Sequence, residues 1–170
     1  MSLNIFSFFI FYKLILFSVI GFGFFFSNLF FKKAVNENLG FVGLLGLFFL
    51  LIYSYYSHIL IPHTYFHNII ILATGILLFV YFIKNSNFLS YKILLINFSF
   101  LFLILLLFKT HDDFHYYHFP YSFYLTQNPL LVGVGQFNHG FRTPSSLFYL
   151  NSLFFLPLAK YYLFYIPTLL

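Results

Sequence analysis

Leu14-Ile15-Leu16-Phe17-Ser18-Val19-Ile20-Gly21-Phe22-Gly23-Phe24-Phe25-Phe26-Ser27-Asn28-Leu29-Phe30-Phe31 is a run without a single charge. As a helix rising 1.5 Å per residue it reaches about 27 Å, close to the roughly 30 Å hydrocarbon core of a bilayer. A cleaved signal peptide would have a shorter apolar stretch and a small-residue cleavage site, and no further spans need follow it. Here the run is long, no such site follows, and more apolar runs come after. The reading is a retained first transmembrane helix, entered through residues 1–12 and Lys13.

The rest of the 170-residue chain agrees: 62% of it is hydrophobic and 6% charged, where soluble domains carry roughly 25% charged residues. The net charge of +5 comes from scattered cations set against three acids. With no basic cluster, it bears on membrane topology and not on nucleic acid. The absence of cysteine excludes disulfides, thiolate metal sites and a cysteine nucleophile. The 31 phenylalanines accord with AT-rich codons. Trp is absent, so tyrosines such as Tyr53, Tyr55, Tyr56 and Tyr65 must form the interfacial belt.

Further spans follow in order. Phe41 to Ile61 is the second span, and Gly40, Gly43 and Gly46 recur at every third position at its start, a face of small residues suited to close helix packing in lipid. Pro62 breaks the chain, and a third span covers Tyr65 to Ile83. The fourth, Ile93 to Phe108, is bracketed by Lys92 and Lys109. It reaches only about 24 Å, so both lysines are expected to snorkel. The segment 147–170 is apolar but interrupted by Pro157, Lys160 and Pro167, and reads as a fifth, kinked span or an interfacial segment. The expected fold is therefore an all-α, polytopic transmembrane protein of four to five spans. It divides into a membrane region (1–108), an outer loop with an interfacial helix (109–146) and the interrupted segment (147–170). Lys32, Lys33, Lys84 and Lys92 mark two loops as cytoplasmic by the positive-inside rule. The loops at 62–68 and 109–146 then fall outside, in a multi-pass protein of the plasma (inner) membrane.

The outer loop concentrates the chain's chemistry. It opens Lys109-Thr110-His111-Asp112-Asp113-Phe114-His115-Tyr116-Tyr117-His118-Phe119-Pro120, and between Lys109 and Arg142 lie both aspartates, four of the seven histidines and the only arginine. Aspartate is costly in lipid, so the pair must face water, a protein cavity or a metal. Capping of a short helix from Phe114 to Leu125 is the plain structural reading. The aromatic density from Phe114 to Tyr124 places this segment on the membrane surface or against other helices.

An Asp-Asp pair just beyond a span on the outer face, followed by Tyr, His and Pro and an interfacial segment, resembles the GT-C glycosyltransferases. These polytopic enzymes transfer sugar from a polyprenyl-phosphate carrier on the non-cytoplasmic side. The resemblance implies that Asp112 and Asp113 supply the general base or metal partner for the acceptor. It implies that Arg142 faces the carrier phosphate, for which a forked guanidinium is suited. His111, His115, His118 and His139 are the supporting side chains, and a divalent cation is the candidate cofactor. The implied partners are the lipid bilayer and a polyprenyl-phosphate-linked sugar, with no nucleic acid. The pattern departs from the family in placing four spans before the loop and in having far fewer spans. A truncated or N-terminal portion of such an enzyme is one reading of that departure.

Other classes stay open. His111, His115 and His118 stand at i, i+4 and i+7, as on one helical face, and His63 and His67 at i, i+4, which suits imidazole ligation of Zn or Fe. Membrane di-iron desaturases carry histidine boxes, but theirs contain adjacent pairs and face the cytoplasm, so no metal is assigned. Gly133-x-Gly135 is too short for a dinucleotide fingerprint. Thr143 is expected as N-cap with Pro144 at the first helical position, beside Arg142. A non-enzymatic subunit or assembly protein of envelope polysaccharide synthesis is the second function class. A transporter is the third, with Lys13 alone inside a span.

Overall fold

The computed structural model describes residues 4–31, 38–83, 88–107, 112–168 and 170. It is helical, with no strand among the described residues: α1 (Ile5–Phe30), α2 (Leu39–Leu60), α3 (Tyr65–Ile83), α4 (Phe88–Leu106), α5 (His118–Gln127) and α6 (Ser146–Ser152), joined by short 3-10 turns. α1, α2 and α3 are long and apolar enough to cross a membrane. α4 is apolar over its described stretch Tyr91–Leu106. The chain is a helical membrane protein.

Local signals set the helix starts. The Asn4 side chain accepts from the Phe6 amide at 3.2 Å and Asn38 from the Phe41 amide at 3.1 Å, each satisfying a donor that a first helical turn leaves unpaired. α1 is the central helix and packs along both α2 and α3. A water-excluding membrane gives no hydrophobic drive between helices, so close backbone approach must supply the attraction. Glycine provides it. A methyl on Gly46 would strike the Val19 carbonyl, on Gly23 the Val42 carbonyl, and on Gly21 the Gly75 carbonyl; Gly75 in turn faces Ser18. Of the expected Gly40-Gly43-Gly46 face, only Gly46 meets another helix.

α4 closes on the N-terminal half of α1. Phe102 packs edge-on to Phe9 at 4.9 Å and tilted to Tyr12 at 5.5 Å, while the Tyr12 hydroxyl donates to the Phe98 carbonyl at 2.9 Å. The Lys13 ammonium donates to Ser99 Oγ at 2.9 Å and to the Leu95 carbonyl at 3.2 Å. These bonds satisfy a cation that lipid alone would strand.

The C-terminal segment does not form a fifth helical crossing. α6 ends at Ser152 after seven residues, and the chain then turns irregular. Pro157 has no amide to continue a helix. Leu158 and Lys160 adopt positive φ of 66° and 48°, and the Lys160 amide closes a tight turn onto the Leu156 carbonyl at 2.7 Å. Leu153, Phe154, Leu156, Ala159, Leu163 and Ile166 are buried among Tyr12, Ile15 and Val19 of α1, Leu50 of α2 and Phe102 of α4. Non-helical backbone is tolerated at membrane depth when protein surrounds it. The segment is a re-entrant plug in the bundle.

Candidate functional site

The loop after α4 begins with a 3-10 turn, Asp112–Phe114. The Asp113 carbonyl accepts from the Tyr116 and Tyr117 amides at 3.1 and 3.2 Å. α5 starts only at His118, so His115 and His118 do not share a helical face. The i, i+4, i+7 pattern is broken by the turn before Pro120, and His111 lies outside the described residues. His118 is wedged between Tyr117 and Phe148, with ring centroids 4.4 and 5.0 Å away, whereas His115 and His139 are exposed. Among the described residues no group of three His, Cys, Asp or Glu side chains is arranged to hold a metal.

The second half of the loop folds back on the first. Asn138 accepts from the Gly140 amide at 2.9 Å and donates to the Tyr116 carbonyl at 3.4 Å. Gly140 lies flat on Tyr117, where a methyl would meet the tyrosine Cβ and ring. Arg142 follows directly, exposed, its Nε donating to the Gly135 carbonyl at 3.4 Å. The turn carrying Arg142 is therefore packed on the turn carrying Asp113, across 22 residues of sequence between Tyr116 and Asn138. Asp112 is exposed and Asp113 half-buried. The helix after Arg142 starts later than its sequence suggests. Ser145, not Thr143, is the N-cap, its hydroxyl accepting from the Leu147 amide at 3.3 Å, and Pro144 precedes the helix. Both residues are good terminus formers, but the extended backbone of Ser145 (φ −67°, ψ 144°) is what aims a cap at the first turn.

A second polar cluster lies buried beneath this surface, where the end of α2 and the start of α3 meet α5 and α6. His58, His63 and His67 form a row, His63 stacked on His67 at 5.1 Å and edge-on to His58 at 5.2 Å between ring centroids. Hydrogen bonding orders one proton on each ring. Asn68 Nδ2 donates to the carbonyls of His63, Ser152 and Phe155 at 2.8–3.0 Å, so its Oδ1 must accept from His67 Nδ1–H at 2.9 Å. His67 Nε2 is then the acceptor for the Tyr53 hydroxyl at 2.9 Å. The Ser152 hydroxyl donates to the Tyr149 carbonyl at 2.7 Å, and hence accepts from His63 Nδ1–H at 2.6 Å. His63 Nε2 is paired with the Ser57 hydroxyl at 2.9 Å, and that hydroxyl also lies 3.3 Å from the Ser54 carbonyl. His58 Nε2–H donates to the Asn128 carbonyl at 3.1 Å, and its Nδ1 is buried without a partner.

For His63, which lies in the α2–α3 connection, burial first and then the neighbouring His67 and His58 push the imidazole far below the ordinary histidine range. Of this cluster only the His63/His67 spacing stands out in the sequence. A further signal was present in Ser54, Ser57 and His58, which sit at i, i+3 and i+4 on one face of an otherwise apolar helix. Their partner Ser152, nearly a hundred residues on, carries no signal of its own.

Comparison with models of protein families, with curated proteins and with solved structures finds no match for this chain.

Proposed function

We propose that this chain is a GT-C-like glycosyltransferase of the plasma membrane, or the N-terminal portion of one, acting on a lipid-linked sugar at the face where the Asp112–Arg142 loop lies. The observation that carries the reading is the packing of the Arg142 turn on the Asp113 turn through Gly140 and Tyr117. That packing links the segment carrying the chain's only guanidinium with the segment that follows its two aspartates. In this reading Arg142 grips the carrier phosphate with two parallel N–H donors. One of Asp112 and Asp113 takes the proton of the acceptor hydroxyl as it attacks the sugar.

A second reading, a non-enzymatic subunit of an envelope polysaccharide assembly, is favoured by the exposure of Asp112, His139 and Arg142, which suits a docking surface as well as a reaction centre. One experiment separates the two. Glycolipid formation is measured in cells carrying Asp112→Asn, Asp113→Asn or Arg142→Lys at equal protein level, alongside binding of polyprenyl phosphate to purified protein in nanodiscs. The enzyme reading expects a loss of roughly 10²–10⁴-fold in transfer for at least one aspartate variant, and weaker phosphate binding for Arg142→Lys. Full transfer by both aspartate variants overturns it.

A further inference from the structure

The histidine row is bonded across every element that meets at this end of the bundle, and what it holds is the re-entrant plug. His63 reaches the hydroxyl of Ser152, Asn68 reaches the carbonyls of Ser152 and Phe155, and the His63 amide donates to the Leu125 carbonyl at 3.0 Å. Asn68 is in turn oriented by His67 and His67 by Tyr53. We propose that the His58–His63–His67 row is a proton-operated clamp, closed while its rings are neutral, that releases the 153–166 segment from the bundle when the compartment it faces is acidified.

The physical argument starts from what surrounds the rings. α2 contributes Tyr53, Ser54, Ser57 and His58; α3 contributes His67 and Asn68; the end of α5 contributes the Leu125 and Asn128 carbonyls; α6 contributes Tyr149 and Ser152, with Tyr55 and Tyr121 behind Tyr149. Among the described residues no carboxylate is bonded to any of the three rings to hold a positive charge. His63 is fully buried and His58 nearly so, and rings about 5 Å apart cannot share the interior as cations. A proton therefore enters only when the row opens.

The sign follows from linkage. His63 is held neutral in the closed state, while a released imidazole binds a proton near pH 6.5, so the open state takes up protons that the closed state refuses. The clamp is stable above that pH and weakens below it. For His63 alone, the ratio of open to closed molecules rises about 30-fold between pH 7.5 and pH 5. Each further histidine freed steepens the change.

The absence of native cysteine makes the test direct. Ala159, fully buried in the plug, is replaced by cysteine, and its reaction with dithiodipyridine, which proceeds in acid, is followed in nanodiscs from pH 8 to pH 5. Thr143→Cys, at an exposed position, supplies the reference rate. The expected result is strong protection of position 159 at pH 7.5 and a relative rate at least 10-fold higher at pH 5. His63→Asn keeps a donor toward Ser152 without binding a proton, and it should flatten this dependence. If that variant is already open at pH 7.5, His67→Asn, which keeps the donor toward Asn68, takes its place. Protection that stays constant from pH 8 to pH 5 in the parent, or a slope unchanged in a closed Asn variant, overturns the clamp.

Discussion

Gly46 and Gly43 stand three residues apart on α2, yet a methyl on Gly46 would run into the Val19 carbonyl of α1 while one on Gly43 would meet nothing within 4 Å. Gly46→Ala must push two helices apart where backbone touches backbone, and overpacking of this kind costs about 1–3 kcal/mol. Gly43→Ala adds a good helix former to an open site and should be neutral or stabilise by up to about 1 kcal/mol. Thermal unfolding of both variants in the same detergent, followed by circular dichroism, checks the pair; equal effects would show that the α1–α2 approach is not at Gly46. The sequence displays the every-third-residue glycines, but not which of them is used. That depends on the rotation of α2 about its axis, set by the partner helix. Gly21, Gly23 and Gly75, which do the same work on α1 and α3, carry no repeat to mark them. The histidines show the same limit: the spacing of His63 and His67 is visible, whereas their bonds to Ser152 and Tyr53 exist only once α2, α3 and α6 meet.

Beside its aromatic contacts, the pairing of α1 with α4 holds one cation. Lys13 lies inside the apolar run, over the Phe9 ring at 5.0 Å, and its ammonium is satisfied by Ser99 and the Leu95 carbonyl, with Ser99 itself donating to Leu95 at 2.6 Å. Ser99→Ala strips one acceptor from a charged donor and should cost about 1–3 kcal/mol. Lys13→Met removes the charge, keeps most of the stem and should be close to neutral, since replacing a buried ion by an apolar isostere often is. In the double variant Ser99→Ala should then cost little. Additivity of the two changes within about 0.5 kcal/mol in the same unfolding assay would show that the bond is not made. Among the elements, the long helices α1–α3 are plain from their uncharged length, because lipid forces internal backbone pairing. The fate of residues 147–170 is not. Apolar composition and prolines are compatible with a kinked span or an interfacial segment, and the plug arises because α1, α2 and α4 leave a cleft that its leucines and phenylalanines fill. The start of α5 at His118 rather than Phe114 likewise reflects Phe114 stacking on Tyr165 at 4.4 Å, a contact with the plug.

At the scale of the whole molecule, the two ends of the bundle differ in chemistry. The α2–α3 connection, α5 and α6 are tied together by the His63 amide on Leu125, His58 on Asn128 and His63 on Ser152. One end therefore gathers the buried histidine row and the polar loop with Asp112, Asp113 and Arg142. The opposite end holds the α1–α2 and α3–α4 connections, with Lys92 exposed; Lys32, Lys33 and Lys84 fall outside the described residues. The positive-inside rule predicts a cytoplasmic lysine end and, with it, a histidine end that meets the outer compartment. Cysteines at Thr143 and Asn87 give the check, with an impermeant maleimide added to intact cells and then to permeabilised ones. Position 143 should label at once and position 87 only after permeabilisation. The reverse pattern would turn the molecule over, and the consequences would separate the two proposals. A donor sugar presented at the outer leaflet could no longer reach Asp112 and Arg142, so the transferase reading would fail. The clamp would survive, because its bonds are internal, but it would then answer to cytoplasmic pH. That compartment rarely falls low enough to charge an imidazole with an ordinary affinity near pH 6.5, so the plug would stay shut under ordinary conditions.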